Sequence, residues 1–297
     1  MIAATAVEND MLRDSVTSRL RIDKWLGAAA VAPSVLLIGA LFVLPILGLI
    51  VQSFTDPEPS LKHYAAVVQD PALWRIIWKT LWLGALCTLA CLVLGYPFAF
   101  LLASVKRRAA VFLMLIVLIP FWTSVLVRLY AWMVILGRQG VVNSVLQHLG
   151  LIDKPLPLLY NGFAVVIGMT HWLLPYMILP LYATMKSIDK SYIEASRTMG
   201  ASDLRTFWNV YLPLSLPGVA AGSLLVFILA LGFYVTPALL GGPKDTLIAV
   251  YIQQQVGFLN WGEATAMATL LLAIVLALLL VYDRVLGMRR MFENVGK

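Results

Sequence analysis

The sequence predicts an all-α integral membrane protein with six transmembrane helices, and three observations carry that expectation. Of 297 residues, 61% are apolar and only 12% charged, with a mean hydropathy of +0.88. Soluble domains carry about 25% charged residues. Apolar runs recur six times along the chain, each close to or above the roughly 20 residues that a bilayer crossing needs. Lysine and arginine gather at the ends of those runs, dense in one connection and sparse in the next, as they do when one side of a membrane retains positive charge. This balance excludes an ordinary soluble domain and a disordered chain. The net charge of +7 reads as membrane topology. Nucleic acid is not expected as a partner, because the basic residues form no stripe of their own.

Residues 1–24 are polar and carry Arg13, Arg19, Arg21 and Lys24. They lack the short apolar core and small-residue cleavage site of a secretory signal, so a cytosolic N-terminal tail is expected there. Residues 25–297 are expected to form one membrane domain, with spans near 25–51, 76–104, 109–136, 163–185, 216–240 and 264–286. Pro45, Pro97, Pro120, Pro175, Pro180 and Pro237 fall inside these spans. Membrane helices tolerate proline where neighbours re-satisfy the freed carbonyls, so bent helices around a lined cavity are expected. With the N-terminus inside, 15 of the 22 lysines and arginines fall on inner segments and six on outer ones, with Arg128 inside the third span. That asymmetry predicts both termini in the cytoplasm. Cys87 and Cys91, four apart in an apolar run, read as small core residues, not as a disulfide or metal site. No His, Asp or Glu cluster has metal-ligand spacing, so no metal is expected.

The inner connection between spans four and five, about 186–216, is roughly 30 residues long, where a plain connection needs only a few. Residues 191–199 have helix-forming character, Gly200 interrupts them, and Ser202 or Asp203 can cap a second short helix. In that second helix Leu204, Phe207, Trp208 and Tyr211 recur at helical spacing. Pro213 and Pro217 are expected to end it before span five. Gly200 suits the left-handed position that closes a helix. The prediction is a rigid helix–glycine–helix knuckle.

The knuckle reads Glu194-Ala195-Ser196, then Gly200-Ala201, then Val210-Tyr211-Leu212-Pro213. It resembles the EAA loop in permease subunits of bacterial type I ABC importers, where Glu-Ala-Ala is followed by a glycine and then Ile-x-Leu-Pro. Ser196 stands for the second alanine and Val210 for the isoleucine. Leu94-Gly95-Tyr96-Pro97-Phe98-Ala99, Pro120-Phe121-Trp122-Thr123-Ser124 with Arg128, and Leu239-Leu240-Gly241-Gly242-Pro243 are similar to the polyamine (spermidine/putrescine) branch of these permeases. One departure stands out: that branch often carries a carboxylate ahead of the Gly-Gly pair, where Phe233 and Ala238 occur here.

The resemblance implies a MetI-like six-helix bundle in the bacterial inner membrane. It implies docking of an ATPase by Glu194, Ala195, Ser196, Gly200, Ala201, Leu212 and Pro213. It also implies a second homologous permease subunit forming a heterodimer, two ATPase subunits, and an extracytoplasmic solute-binding protein received by residues 137–160 and 241–262, which are expected to be ordered and non-helical. Membrane lipid is the remaining partner. The chain has no G-x-x-x-x-G-K-[ST] loop to cradle phosphates, so it is expected to be non-catalytic and without a cofactor, with ATP bound by the partner subunits. Along the substrate pathway Trp122, Arg128, Trp172, Tyr176, Phe233 and Tyr234 are the candidates. Each aromatic can equally be packing or an interfacial belt, and Arg128 can bond backbone carbonyls near Pro120 or snorkel. His171 reads as a hydrogen-bonded core residue. Opines, phosphonates and thiamine-like cations are alternative solutes. A stand-alone secondary transporter is a further alternative, but it would need intramembrane acids or an inverted repeat.

Overall fold

The computed structural model describes residues 29, 31–56 and 58–286. The tail at 1–24 and the basic residues Arg289, Arg290 and Lys297 lie outside the described residues. Within them the chain is built of helices: α1 (Val31–Thr55), α2 (Lys62–Gln69), α3 (Pro71–Ser104), α4 (Arg107–Trp122), α5 (Val125–Leu136), α6 (Val141–His148), α7 (Gly162–Ser187), α8 (Lys190–Thr198), α9 (Asp203–Leu231), α10 (Val235–Leu240), α11 (Ile248–Gly257) and α12 (Trp261–Leu286). Six stretches are long and apolar enough to cross a membrane; the third of them is Val125–His148, shifted from the expected 109–136, because α4 has only 16 residues.

α7 is the centre of the bundle. Met169, Leu173, Met177, Ile178 and Leu181 on it are fully buried, and it packs along both α3 and α9. Between hydrocarbon-facing helices, close approach comes from small residues and not from a hydrophobic drive. Gly218 supplies it here: a Cβ at that position would meet Thr184 at 2.8 Å and the Pro180 carbonyl at 3.1 Å. Cys87 and Cys91 are buried free thiols in the same seam, beside Thr170 of α7. α1 lies at the margin, against α12.

Two expected elements differ from the structure. The third span, expected as one helix over 109–136, is broken at Thr123–Ser124, where both residues are extended and α4 ends before α5 begins. The second is the helix over Leu204–Tyr211, expected to stop at Pro213. It instead runs on without interruption into span five as α9. A π turn at Phe207–Tyr211 makes this possible, with the Leu212 amide donating to the Phe207 carbonyl. The extra residue shifts the ladder just where proline lacks its N–H and its ring crowds the preceding turn. A second π turn, Gly39–Val43, precedes Pro45 in α1.

The connections at 137–160 and 241–262, expected to be ordered but non-helical, each contain a helix, α6 and α11. The fully buried Asn143 of α6 donates to the carbonyls of Gly137 and Leu156, both at 3.0 Å, and accepts from the Leu156 amide at 2.8 Å. That clasp is what lets a helix sit within the connection.

Candidate functional site

The knuckle is assembled from the residues that the motif singles out. Asp189 caps α8 by accepting from the Ser191 amide at 2.9 Å. The Ser191 backbone and hydroxyl together hold the Asp189 carboxyl below its ordinary range. α8 ends in a Schellman turn, in which the Gly200 amide donates to Arg197 and the Ala201 amide to Ser196. Gly200 has φ +84, as that turn requires. Ser202 then caps the start of α9. The two arms are fastened by a buried hydroxyl pair, Ser196 Oγ to Thr206 Oγ1 at 3.0 Å, and on the surface by Arg197 and Asp203 at 2.9 Å. A serine in place of the motif's second alanine thus acts as a latch.

The knuckle is seated on α3. Phe207 meets Tyr96 and Phe100 edge-on, and Phe100 also meets Tyr211 edge-on with ring centroids 5.0 Å apart. The expected apolar stripe therefore divides. Tyr211 and Phe207 turn inward, whereas Leu204 (70% exposed) and Trp208 (58%) stay outside, as does Met199 (82%) at the end of α8. Glu194 and Ala195 are exposed beside them. Glu194 lines a cavity of about 440 Å³ with Phe100, Arg197, Asp203 and Phe207. Leu212 and Pro213 follow on the continuous α9, Leu212 half-buried and Pro213 exposed.

Deeper in the bundle, α9 stops at Leu231 and the chain resumes as α10 at Val235, so Gly232, Phe233 and Tyr234 form a second break. Non-helical backbone at membrane depth is tolerated only where it is buried or lines a cavity. The two breaks are bridged by a ladder of rings. Phe121 meets Tyr176 at 5.3 Å, Tyr176 meets Trp172 at 5.2 Å, and Trp172 meets Phe233 at 5.1 Å. The structure thus brings Trp172, Tyr176 and Phe233 together. Trp122 is 76% exposed and Tyr234 is also exposed, and neither joins the ladder. Phe121, which belongs to the Pro120–Ser124 motif but is not among the pathway candidates of the sequence, completes the ladder.

Arg128 is 91% buried behind the first break. Its Nη2 donates to the Pro120 carbonyl at 2.9 Å and to the Thr123 carbonyl at 3.0 Å, satisfying the open end of α4. Its Nε and Nη1 have no partner among the described residues. His171 accepts at Nδ1 from Trp132 Nε1, at 3.1 Å. At the far end of α3 lies a tie with no sequence signal: Lys79 pairs with the nearly buried Asp245 at 2.5 Å and donates to the Lys244 carbonyl. The neighbouring Thr80 hydroxyl accepts from the Ile248 amide at 2.9 Å.

Six long apolar stretches, two helix breaks bridged by aromatic rings and a latched elbow at one end fit a membrane permease. Residues 95–289 match the family described as "Binding-protein-dependent transport system inner membrane component", and the chain belongs to that family. It is a multi-pass inner-membrane permease of the ABC importer class. Among its relatives, the spermidine/putrescine transport system permease protein PotB of Escherichia coli (strain K12) is 37% identical over 263 residues, 88% of this chain and 93% of that protein. The inner membrane ABC transporter permease protein YdcU of the same organism is 35% identical over 245 residues, 78% of this chain and 77% of that one. The fold is similar to a chain of the bacterial alginate ABC transporter bound to its alginate-loaded periplasmic protein (TM-score 0.71, 19% identity, covering 90% of this chain and 95% of that one). It is also similar to a chain of the inward-facing MetNI methionine ABC transporter (TM-score 0.54, 21% identity, covering 73% and 95%). The MetI-like bundle is therefore the fold of this chain.

Proposed function

We propose that the chain is one permease subunit of a polyamine importer, driven through its knuckle by a separate ATPase. The observation that carries the reading is the exposed rim of the knuckle, where Glu194, Met199, Leu204 and Trp208 surround a turn closed by the buried Ser196–Thr206 pair. Glu194, Ala195, Ser196, Gly200 and Ala201 form the docking arm, and Leu212 and Pro213 pass its motion into α9. The chain itself is non-catalytic and holds no cofactor; ATP is bound by two partner subunits. The second permease is a homologous chain, giving a heterodimer. A solute-binding protein meets the opposite face at 137–160 and 241–262. Both termini lie in the cytoplasm.

The polyamine reading is supported by the relatives named for spermidine and putrescine transport and by the ladder of Trp172, Tyr176 and Phe233 with Phe121. Ring faces attract organic cations without a fixed carboxylate, and weak, repeated contacts suit a solute that must leave again. Trp122 and Tyr234 are exposed at the two breaks and flank the route. Arg128 holds the first break open. Its cationic group supports one second reading, an anionic or zwitterionic solute such as a phosphonate or an opine.

The test is uptake of labelled spermidine by cells supplying all the partner subunits. Glu194→Lys should abolish ATP-dependent uptake and weaken co-purification of the ATPase while leaving the chain's own thermal stability unchanged. Full uptake by that variant would refute the coupling role. Unimpaired coupling with no spermidine uptake would refute the solute.

A further inference from the structure

α4 and α7 run antiparallel with their knuckle-side ends together, and a cavity of about 410 Å³ opens between them. Arg107, the first residue of α4, and Lys186, one residue before the end of α7, stand at its mouth, and Val111, Met114, Leu115 and Tyr182 line the rest. Both cations are exposed. Neither takes part in the ion pairs found among the described residues, Lys79–Asp245 and Arg197–Asp203. From Arg107 to Leu115 the helix rises about 12 Å. That distance carries a groove through the polar zone of a bilayer, about 5–8 Å deep on each side, and into its hydrocarbon.

We propose that this groove binds a single anionic phospholipid, with its phosphate between Arg107 and Lys186 and an acyl chain along Val111, Met114 and Leu115. Charge complementarity carries this: two cations with no ion-pair partner among the described residues stand together at the ends of two membrane helices, where a bilayer places its phosphates, and the rest of the groove is apolar. Basic pockets between membrane helices select anionic headgroups for this reason. The site rests on the chain's spanning a membrane and is independent of which solute is moved and of how the ATPase docks.

Native mass spectrometry of the detergent-purified chain in complex with its partner subunits tests it, using dioleoyl phosphatidylglycerol against dioleoyl phosphatidylcholine. A basic side chain near an anionic lipid contributes about 5-fold, so a preference for phosphatidylglycerol of roughly 25-fold is expected. Arg107→Gln with Lys186→Gln should remove that preference, Leu115→Trp should reduce retention of either lipid, and Arg138→Gln, away from the groove, should do neither. Equal retention of the two lipids by the wild-type complex would overturn the proposal, whether or not the double variant folds. So would a preference that persists in a folded double variant. If inorganic phosphate displaces the bound species and Leu115→Trp has no effect, the groove is a free-anion site and the lipid is ruled out. Cross-linking of Val111→Cys to the partner permease would mean that protein covers the groove, and would also overturn it.

Discussion

Replacing Gly200 tests the knuckle directly, because its backbone and its surroundings make opposite demands. Its two chain neighbours aside, no atom of the described residues lies within 4 Å of where a Cβ would sit, so bulk meets no clash there, yet φ is +84. A β-branched residue held there costs about 2 kcal/mol, whereas asparagine, which visits this region readily, costs far less. Gly200→Val should therefore favour opening of the Schellman turn by about 30-fold. Amide exchange at residues 195–206 should speed up by that factor, with the exchange of α7 unchanged. ATP-dependent uptake should fall with it, because Glu194 would be carried on a loosened arm. Gly200→Asn should retain most of both. If valine and asparagine were equally harmful, a partner surface and not the backbone angle would be the cause. If neither did harm, stiffness at the elbow would be irrelevant to coupling.

Ser196→Ala leaves the buried Thr206 hydroxyl without its partner and should cost about 1 kcal/mol, measurable as lost protection at the knuckle; adding Thr206→Ala should recover most of it. Arg128→Leu strands the Thr123 carbonyl and should lower stability by about 2 kcal/mol, seen as a lower apparent Tm, with uptake reduced as the break closes. An unchanged Tm would show that the clamp is dispensable. Lys79→Met leaves Asp245 nearly buried and unpaired. With Lys79 itself one-third exposed, the loss should be about 1–2 kcal/mol, and Asp245→Asn in the same chain should restore thermal stability.

The crossings were legible because hydrocarbon imposes a length and a composition on any helix that spans it, and the knuckle was legible because a left-handed glycine, a cap and a proline occur in a fixed order. The breaks were not. Thr123 and Ser124 have no property that stops a helix outright. What stops it is Arg128, eight residues beyond Pro120, reaching back to claim the carbonyls. Pro213 misled in the opposite direction, since a terminator in an isolated helix becomes passable once a π turn takes up the register. The aromatic ladder joins α4, α7 and the segment after α9, and only packing makes Phe121 a neighbour of Tyr176. The Lys79–Asp245 tie spans 166 positions of sequence and left no local trace.

α3 has a consequence of its own. It is one unbroken helix from Pro71 to Ser104, gripped near one end by the knuckle's rings at Phe100 and near the other by Asp245 and the start of α11. The two grips are about 30 Å apart along the axis. Because different elements hold its two ends, a displacement of the knuckle must either shift the Asp245 segment as well or be taken up between the grips, where Pro97 interrupts the helix's own hydrogen bonds.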